Sequence, residues 1–190
     1  MTAKFAVYIL AGGKSSRMGE DKSLLPYHES NMLSTIIHIA KELSNSIYLV
    51  SGHEAHQKFG LSMLDDLHPA LGPAGGLGSL LQHSKHSMNL VLSCDMPCVD
   101  VNNIHYIFSQ ISAHQIGIST LGKYTEAFPG FYAKSIEEKW HQLVASGIYS
   151  MHELISNFDS IFVDGKEIVK SNPNFFKNIN TPEDYNQLIS

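Results

Sequence analysis

Phe5 to Leu10 (FAVYIL) is an unbroken run of six apolar or aromatic residues, stopped soon after by Gly12-Gly13. A strand with one face in water would alternate apolar and polar residues, so an unbroken run calls for cover on both faces. The run is too short, and too soon interrupted, for a signal peptide or a membrane span. Further strand-like runs follow at Ser46 to Val50, Leu61 to Leu64, Asn89 to Leu92, Ile116 to Ser119, Phe128 to Tyr132 and Ser160 to Val163. Helical patterns lie between them. Met32, Leu33, Ile36, Ile37, Ala40 and Leu43 share one helical face, as do Val101, Ile104, Ile107, Phe108 and Ile111. Shorter helices are expected around Gly78 to His83, around Trp140 to Val144 with a stop near Gly147, and at Met151 to Ile155. In the closing TPEDYNQLI, Thr181 can cap a helix, Pro182 can take its first turn and Asp184 its third position.

Strands alternating with helices predict a three-layer α/β/α fold around a Rossmann-like, mostly parallel sheet. No repeat or low-complexity linker divides the 190 residues, so a single domain over residues 1–190 is expected. Hydrophobic residues make up 43%, enough for a buried core, and charged residues only 16%, which excludes a disordered chain. A net charge of −5 argues against nucleic acid as a partner, but a few local donors can still hold one phosphate group. Cys94 and Cys98 are too few for a disulfide scaffold and read as reduced thiols of a cytoplasmic protein.

Ligands of such sheets bind at the carboxyl ends of the strands. Gly12-Gly13 follow the first strand, Asp66 the third and Asp95 the fourth, so three distant stretches are expected to meet at one edge. In the first loop, Gly12 and Gly13 let backbone N–H groups approach a ligand, while Lys14, Arg17 and Lys22 bring positive charge and Ser15 and Ser16 donors, the groups a triphosphate needs. The spacing is neither that of a P-loop nor that of a dinucleotide fingerprint. Asp95 can reach a Mg²⁺ ion that bridges nucleotide phosphates, since this ion takes oxygen ligands and few protein groups. Its competing use, capping the next helix, falls more naturally to Asp100 or Asn102.

The string L-A-G-G-x-S-x-R-M-G-x-D-K-x-L-L, Leu10 to Leu25, closely resembles the signature of the molybdenum cofactor guanylyltransferases, the MobA family of nucleotidyltransferases. Three further elements resemble that family: Asp66 followed by G-P-x-x-G, the C-D-x-P of Cys94 to Pro97, and N-x-N-T-P-E-D from Asn178 to Asp184. The resemblance implies a fold of the nucleotide-diphospho-sugar transferase type. It implies an enzyme that transfers GMP from GTP to the phosphate of molybdopterin, with residues 1–100 binding nucleotide and 101–190 the acceptor. Leu10, Ala11, Gly12 and Gly13 would wrap the guanosine, Arg17 and Lys22 would face the phosphates, and Asp95 would hold Mg²⁺. Asp66, with Asp65 as its rival, would contact ribose or base; Asn178 and Asn180 would shape the acceptor side. GTP and molybdopterin are the implied partners, with other molybdenum cofactor proteins and apo-molybdoenzymes as further candidates, and no membrane.

The chain departs from the family at two places. Ser51 stands where the family tends to have a base-contacting asparagine, and Phe128 where a His or Gln precedes the proline. The pairs His53/His56 and His83/His86 lack further ligands at fitting spacing, so exposed helix histidines are expected rather than a zinc site. Three other readings stand beside the guanylyltransferase. Cytidylyltransferases, including the molybdopterin type, tend to read L-A-A-G where this chain has Gly12. Sugar-phosphate nucleotidyltransferases carry a longer G-x-G-T-R-L loop. A non-catalytic GTP-binding delivery protein would have no need of Asp95.

Overall fold

The computed structural model describes residues 5–12 and 21–189. Its strands are β1 (Ala6–Leu10), β2 (Pro26–Tyr27), β3 (Ser30–Asn31), β4 (Ile47–Val50), β5 (Ser62–Leu64), β6 (Met88–Ser93), β7 (Ile116–Leu121), β8 (Tyr124–Ala133) and β9 (Ser160–Asp164). Its α-helices are α1 (Met32–Leu43), α2 (Pro73–His83), α3 (Val101–Gln110), α4 (Glu137–Ala145), α5 (Met151–Ile155), α6 (Lys166–Ser171) and α7 (Pro182–Ile189). Seven strands form one sheet in the order β5-β4-β1-β6-β8-β7-β9; β2 and β3 make a separate small hairpin. All seven share one direction except β8, which runs antiparallel to β6 and β7. The reversal follows from the short turn at Gly122 and Lys123, with Gly122 at φ 62°: two residues can close a hairpin but cannot carry a parallel crossover.

The run from Phe5 to Leu10 has the double cover its composition demands. Phe5, Val7 and Ile9 point into one layer with Leu33, Ile36 and Ala40 of α1, Ile104 and Ile107 of α3 and Ile168 of α6. Ala6 and Tyr8 point into the other, with Leu77, Leu80 and Leu81 of α2, Trp140 of α4, and Leu154 and Ile155 of α5. Each fully buried Leu or Ile contributes roughly 1.5–3 kcal/mol, so either face alone would outweigh the cost of ordering many of its residues.

Caps set the helix ends. Asn31 accepts from the Ser34 N–H at the start of α1, and Asp100 accepts from the Asn103 N–H at the start of α3, leaving Asp95 unused as a cap. Helix α2 begins five residues earlier than its apolar pattern suggested, at Pro73, because the glycines Gly75 and Gly76 are its first turns rather than a loop. A Cβ on Gly75 would come 2.2 Å from the His68 carbonyl oxygen, so only glycine lets α2 start so close to that segment. The Trp140 indole donates to the Ala74 carbonyl at 3.1 Å and fixes this end of the helix. The short α6 had no sequence signal of its own. Among the described residues no helix is long and apolar enough to cross a membrane.

Candidate active site

One cleft opens at the carboxyl edge of the sheet, with a volume of about 170 Å³. Leu10 and Gly12 from the end of β1, Asp66 beyond β5, Ser93 and Asp95 from the end of β6, and Lys22 all line it. The expected meeting of three strand ends is therefore realised. Gly72, Pro73 and Gly76 at the start of α2 form one wall, and Phe128 of β8 another. A Cβ on Gly76 would lie 3.3 Å from Leu10 Cδ2 and 3.6 Å from Asp66 Oδ2, so the glycine keeps that corner open.

Lys22 sits in a 3-10 turn, Lys22–Leu24, capped by the Asp21 carboxylate, which accepts from the Ser23 N–H. The turn directs the Lys22 ammonium to Asp95 Oδ2 at 2.7 Å and Asn180 Oδ1 at 3.1 Å. Asp95 Oδ1 accepts from Ser93 Oγ at 2.5 Å, so both carboxylate oxygens are engaged at a half-buried floor. The backbone N–H of Ile179 donates to the Asp95 carbonyl at 2.8 Å, which ties the C-terminal segment to the end of β6 and brings Asn180 to the cleft. A capping box holds that segment: the Asn180 and Thr181 N–H groups donate to Asp184 Oδ2, and the Asp184 N–H donates to Thr181 Oγ1.

Other expected site residues lie apart. Asn178 is exposed, and its side-chain amide donates to the nearby Phe176 carbonyl. Ala11 is buried, with its N–H on the Val50 carbonyl, and does not line the cleft. Asp66 Oδ1 accepts from the His68 N–H, whereas its rival Asp65 is exposed and outside the cleft lining. Ser51 is fully buried with Oγ turned 2.8 Å from His56 Nδ1 rather than into the cleft. Gly13 and Arg17 lie outside the described residues.

The expectation of exposed helix histidines fails at His56. It is fully buried, because its ring nitrogens find partners in Ser51, Ser23 and Asp21, none of them close in sequence spacing to a metal or catalytic pattern. Its signal was an Asp-x-Ser turn next to Lys22 and a serine ending a strand, which only the fold brings together. Among the described residues no group of three or more His, Cys, Asp or Glu could hold a metal ion.

The doubly wound sheet, the strand-end cleft and a lysine–carboxylate pair at its floor define an α/β protein with a ligand-sized cleft at the carboxyl edge. The chain belongs to the MobA-like NTP transferase domain family, whose model matches residues 7–160. It is similar to a probable molybdenum cofactor guanylyltransferase of Clostridium perfringens, 29% identical, covering 98% of this chain and 96% of that protein. Among solved structures, molybdopterin-guanine dinucleotide biosynthesis protein A from Archaeoglobus fulgidus shares the fold with a TM-score of 0.82 at 19% identity, over 97% and 96% of the two chains. A Mycobacterium tuberculosis protein solved in complex with manganese has a TM-score of 0.64 at 17% identity, over 97% of each chain.

Proposed function

We propose that this chain transfers GMP from GTP to the terminal phosphate of molybdopterin, giving the guanine dinucleotide cofactor and pyrophosphate. The observation that carries the reading is the Lys22–Asp95 pair at the floor of a cleft whose walls are glycines from the ends of β1 and the start of α2. The family membership and the named relatives support the same reading.

A phosphate oxygen of the acceptor attacks the α-phosphorus of GTP in line. The new P–O bond forms as the bond from the α-phosphorus to the bridging oxygen breaks, and pyrophosphate leaves with the electron pair. The acceptor needs no side-chain base, because a phosphate monoester is largely ionised near neutral pH. Lys22 neutralises the charge that builds on the phosphates as the bonds change. Arg17 is assigned the same charge-neutralising role. Gly12, with Leu10 and Gly13, takes the guanosine, Asp66 meets ribose or base, and Asn180 serves the acceptor. Residues 1–100 thus bind the nucleotide and residues 101–190 the acceptor.

Mg²⁺ fits the donor set. It demands oxygen ligands, keeps several waters, and is commonly held by one or two carboxylates together with substrate phosphates. Asp95 offers such a carboxylate at the cleft floor. When bound, the ion would screen the phosphate charges. A cytoplasmic setting fits Cys94 and Cys98, both free thiols. Delivery of the product to apo-molybdoenzymes is a further role this reading allows.

The test is pyrophosphate release from each of the four nucleoside triphosphates, with Mg²⁺ and molybdopterin, in the wild type and Asp95→Ala. Release with GTP alone, lost in the variant, is expected. Release with CTP, or release that ignores molybdopterin, would keep the family and discard this substrate pair. GTP binding with no release at all would favour a delivery protein.

A further inference from the structure

His56 lies in the 3-10 turn Glu54–Phe59 that follows β4, and it is the only buried histidine among the described residues. Both ring nitrogens are engaged. Nε2 lies 2.9 Å from Asp21 Oδ2 and 2.9 Å from Ser23 Oγ, and Nδ1 lies 2.8 Å from Ser51 Oγ. A carboxylate can only accept, so Nε2 carries the hydrogen and Nδ1 accepts from the Ser51 hydroxyl. Ser51 Oγ in turn accepts from the His53 N–H at 3.1 Å. On the other side, Ser23 donates to Asp21 Oδ1 with its hydroxyl at 2.7 Å and its N–H at 3.0 Å.

The two residues that His56 grips are the immediate neighbours of Lys22 in sequence. The imidazole thus ties both flanks of the Lys22 turn to the rigid end of β4, while the Lys22 side chain leaves the turn for Asp95 and Asn180. An apolar ring in its place would fill the space but leave Asp21 Oδ2 without its imidazole donor and the Ser51 O–H without its imidazole acceptor. We propose that His56 is a positioning residue, which fixes Lys22 toward the reacting phosphates by holding Asp21 and Ser23 on either side of it. The inference rests on reading Lys22 as the phosphate-facing cation. A misplacement of about 1 Å in such a group can cost about 10²-fold in rate.

The groups that face the ring are Asp21, Ser23, Ser51, the His53 ring at 5.4 Å, Lys58 and the Phe59 ring. Burial holds the His56 imidazole below its ordinary value, against the pull of Asp21. The ring therefore stays neutral in the range where the enzyme would work, which keeps Nδ1 an acceptor for Ser51.

The experiment compares His56→Phe and His56→Gln with the wild type in two assays. In steady-state pyrophosphate release with GTP, Mg²⁺ and molybdopterin, His56→Phe is expected to lose about 10²-fold in kcat, with KM for GTP within a few-fold. His56→Gln, which can still donate to Asp21, recovers most of the loss. In a Lys22→Met background, His56→Phe costs almost nothing more, since it acts through Lys22. The second assay acetylates the protein with limiting acetic anhydride and quantifies Lys22 against Lys134 by mass spectrometry. Lys22 is expected to react several-fold faster in His56→Phe, once its turn is released from Asp95. Equal losses of kcat with and without Lys22, or unchanged acetylation of Lys22 in folded His56→Phe, would overturn the proposal. If His56→Phe does not fold, Ser51→Ala carries the labelling test, with faster Lys22 acetylation supporting the proposal and unchanged acetylation rejecting it. If the wild type releases no pyrophosphate, the reading of the cleft falls, and the labelling alone decides whether His56 positions Lys22.

Discussion

The Lys22 ammonium lies 2.7 Å from Asp95 Oδ2 across 73 residues of chain. The pair joins the loop after β1 to the end of β6, and its side chains are 20% and 16% exposed, so it faces the cleft rather than the core. Partly exposed pairs add little to stability. Their value here lies in keeping a cation and a carboxylate in reach of one ligand.

Lys22→Met is accordingly expected to leave the melting temperature nearly unchanged while lowering kcat/KM for GTP by about 10²–10³-fold, the usual cost of losing one group that stabilises transition-state charge. Asp95→Asn should raise the Mg²⁺ concentration needed for half-maximal rate. Steady-state pyrophosphate release across a Mg²⁺ series checks both. A loss below tenfold for Lys22→Met would remove that residue from the chemistry.

Under the proposed reading, Gly12 bears on the choice of base. A Cβ at Gly12 would stand 3.8 Å from the Val50 carbonyl oxygen, an ordinary contact, so Gly12→Ala should fold as the wild type does. The added methyl would still enter the cleft that Gly12 lines. One methyl in a fitted pocket is worth about 10–200-fold in discrimination, and the preference for GTP over CTP should fall within that range. Competition assays with both nucleotides measure it, and an unchanged ratio would remove Gly12 from base selection.

Much of this architecture was legible in the chain because burial writes itself into composition. The uninterrupted Phe5 to Leu10 demanded cover on both faces, and the spacing of Met32 to Leu43 marked one side of α1. Gly12, Asp66 and Asp95 were legible as cleft residues because strand ends carry ligands in such sheets, Lys22 as a cation of the first loop, and Leu10 through the resemblance of the first loop to the family signature. What could not be read depends on long-range partners. Ser51 looked like a residue for the base, yet its hydroxyl is taken by His56. His56 looked like a surface residue because nothing local announces that Asp21 and Ser23 will close over it. Asn178 and Asn180 share one motif, but only Asn180 meets Lys22, since the N–H of Ile179 between them is pinned to the Asp95 carbonyl.

The capping box at the start of α7 couples stability to that contact. Thr181→Ala removes the acceptor for the Asp184 N–H and should cost about 1 kcal/mol, as N-cap losses typically do. The same change loosens Asp184, which also holds the Asn180 N–H, so KM for the acceptor should rise while KM for GTP does not. Chemical denaturation and two-substrate kinetics test the two halves separately. A rise in KM for GTP alone would detach Asn180 from the acceptor side.

The two cysteines should differ sharply as nucleophiles. Cys94 is buried, and burial together with the adjacent Asp95 pushes its thiol up to about 12. Cys98 is more exposed, with Sγ 3.7 Å from the Tyr27 hydroxyl. Iodoacetamide at pH 8 should therefore modify Cys98 first and reach Cys94 only on unfolding, because the thiolate is the reacting species. Peptide mapping after graded alkylation decides it, and early modification of Cys94 would contradict the buried end of β6.

Acid should weaken the fold through two groups, the buried His56 and the hydrogen-bonded Asp21. Burial lowers the His56 value below its ordinary 6.5, so the unfolded chain takes up a proton first as pH falls and the folded state loses stability. That loss begins near pH 6.5 and is complete only below the lowered value of the folded protein. Asp21 adds a second step with the same sign. Burial opposes its ionisation, but the hydrogen bonds from Ser23 and the neighbouring His56 and His53 outweigh this and hold the carboxyl below its ordinary 3.8. Its contribution is present above 3.8 and disappears as pH falls through the lower folded value. The melting temperature of the wild type should fall between pH 7.5 and 5. In His56→Gln, which has nothing to titrate at that position, the fall should be shallower. Melting curves at a series of pH values compare the two slopes, and identical slopes would mean that His56 does not contribute to the acid sensitivity.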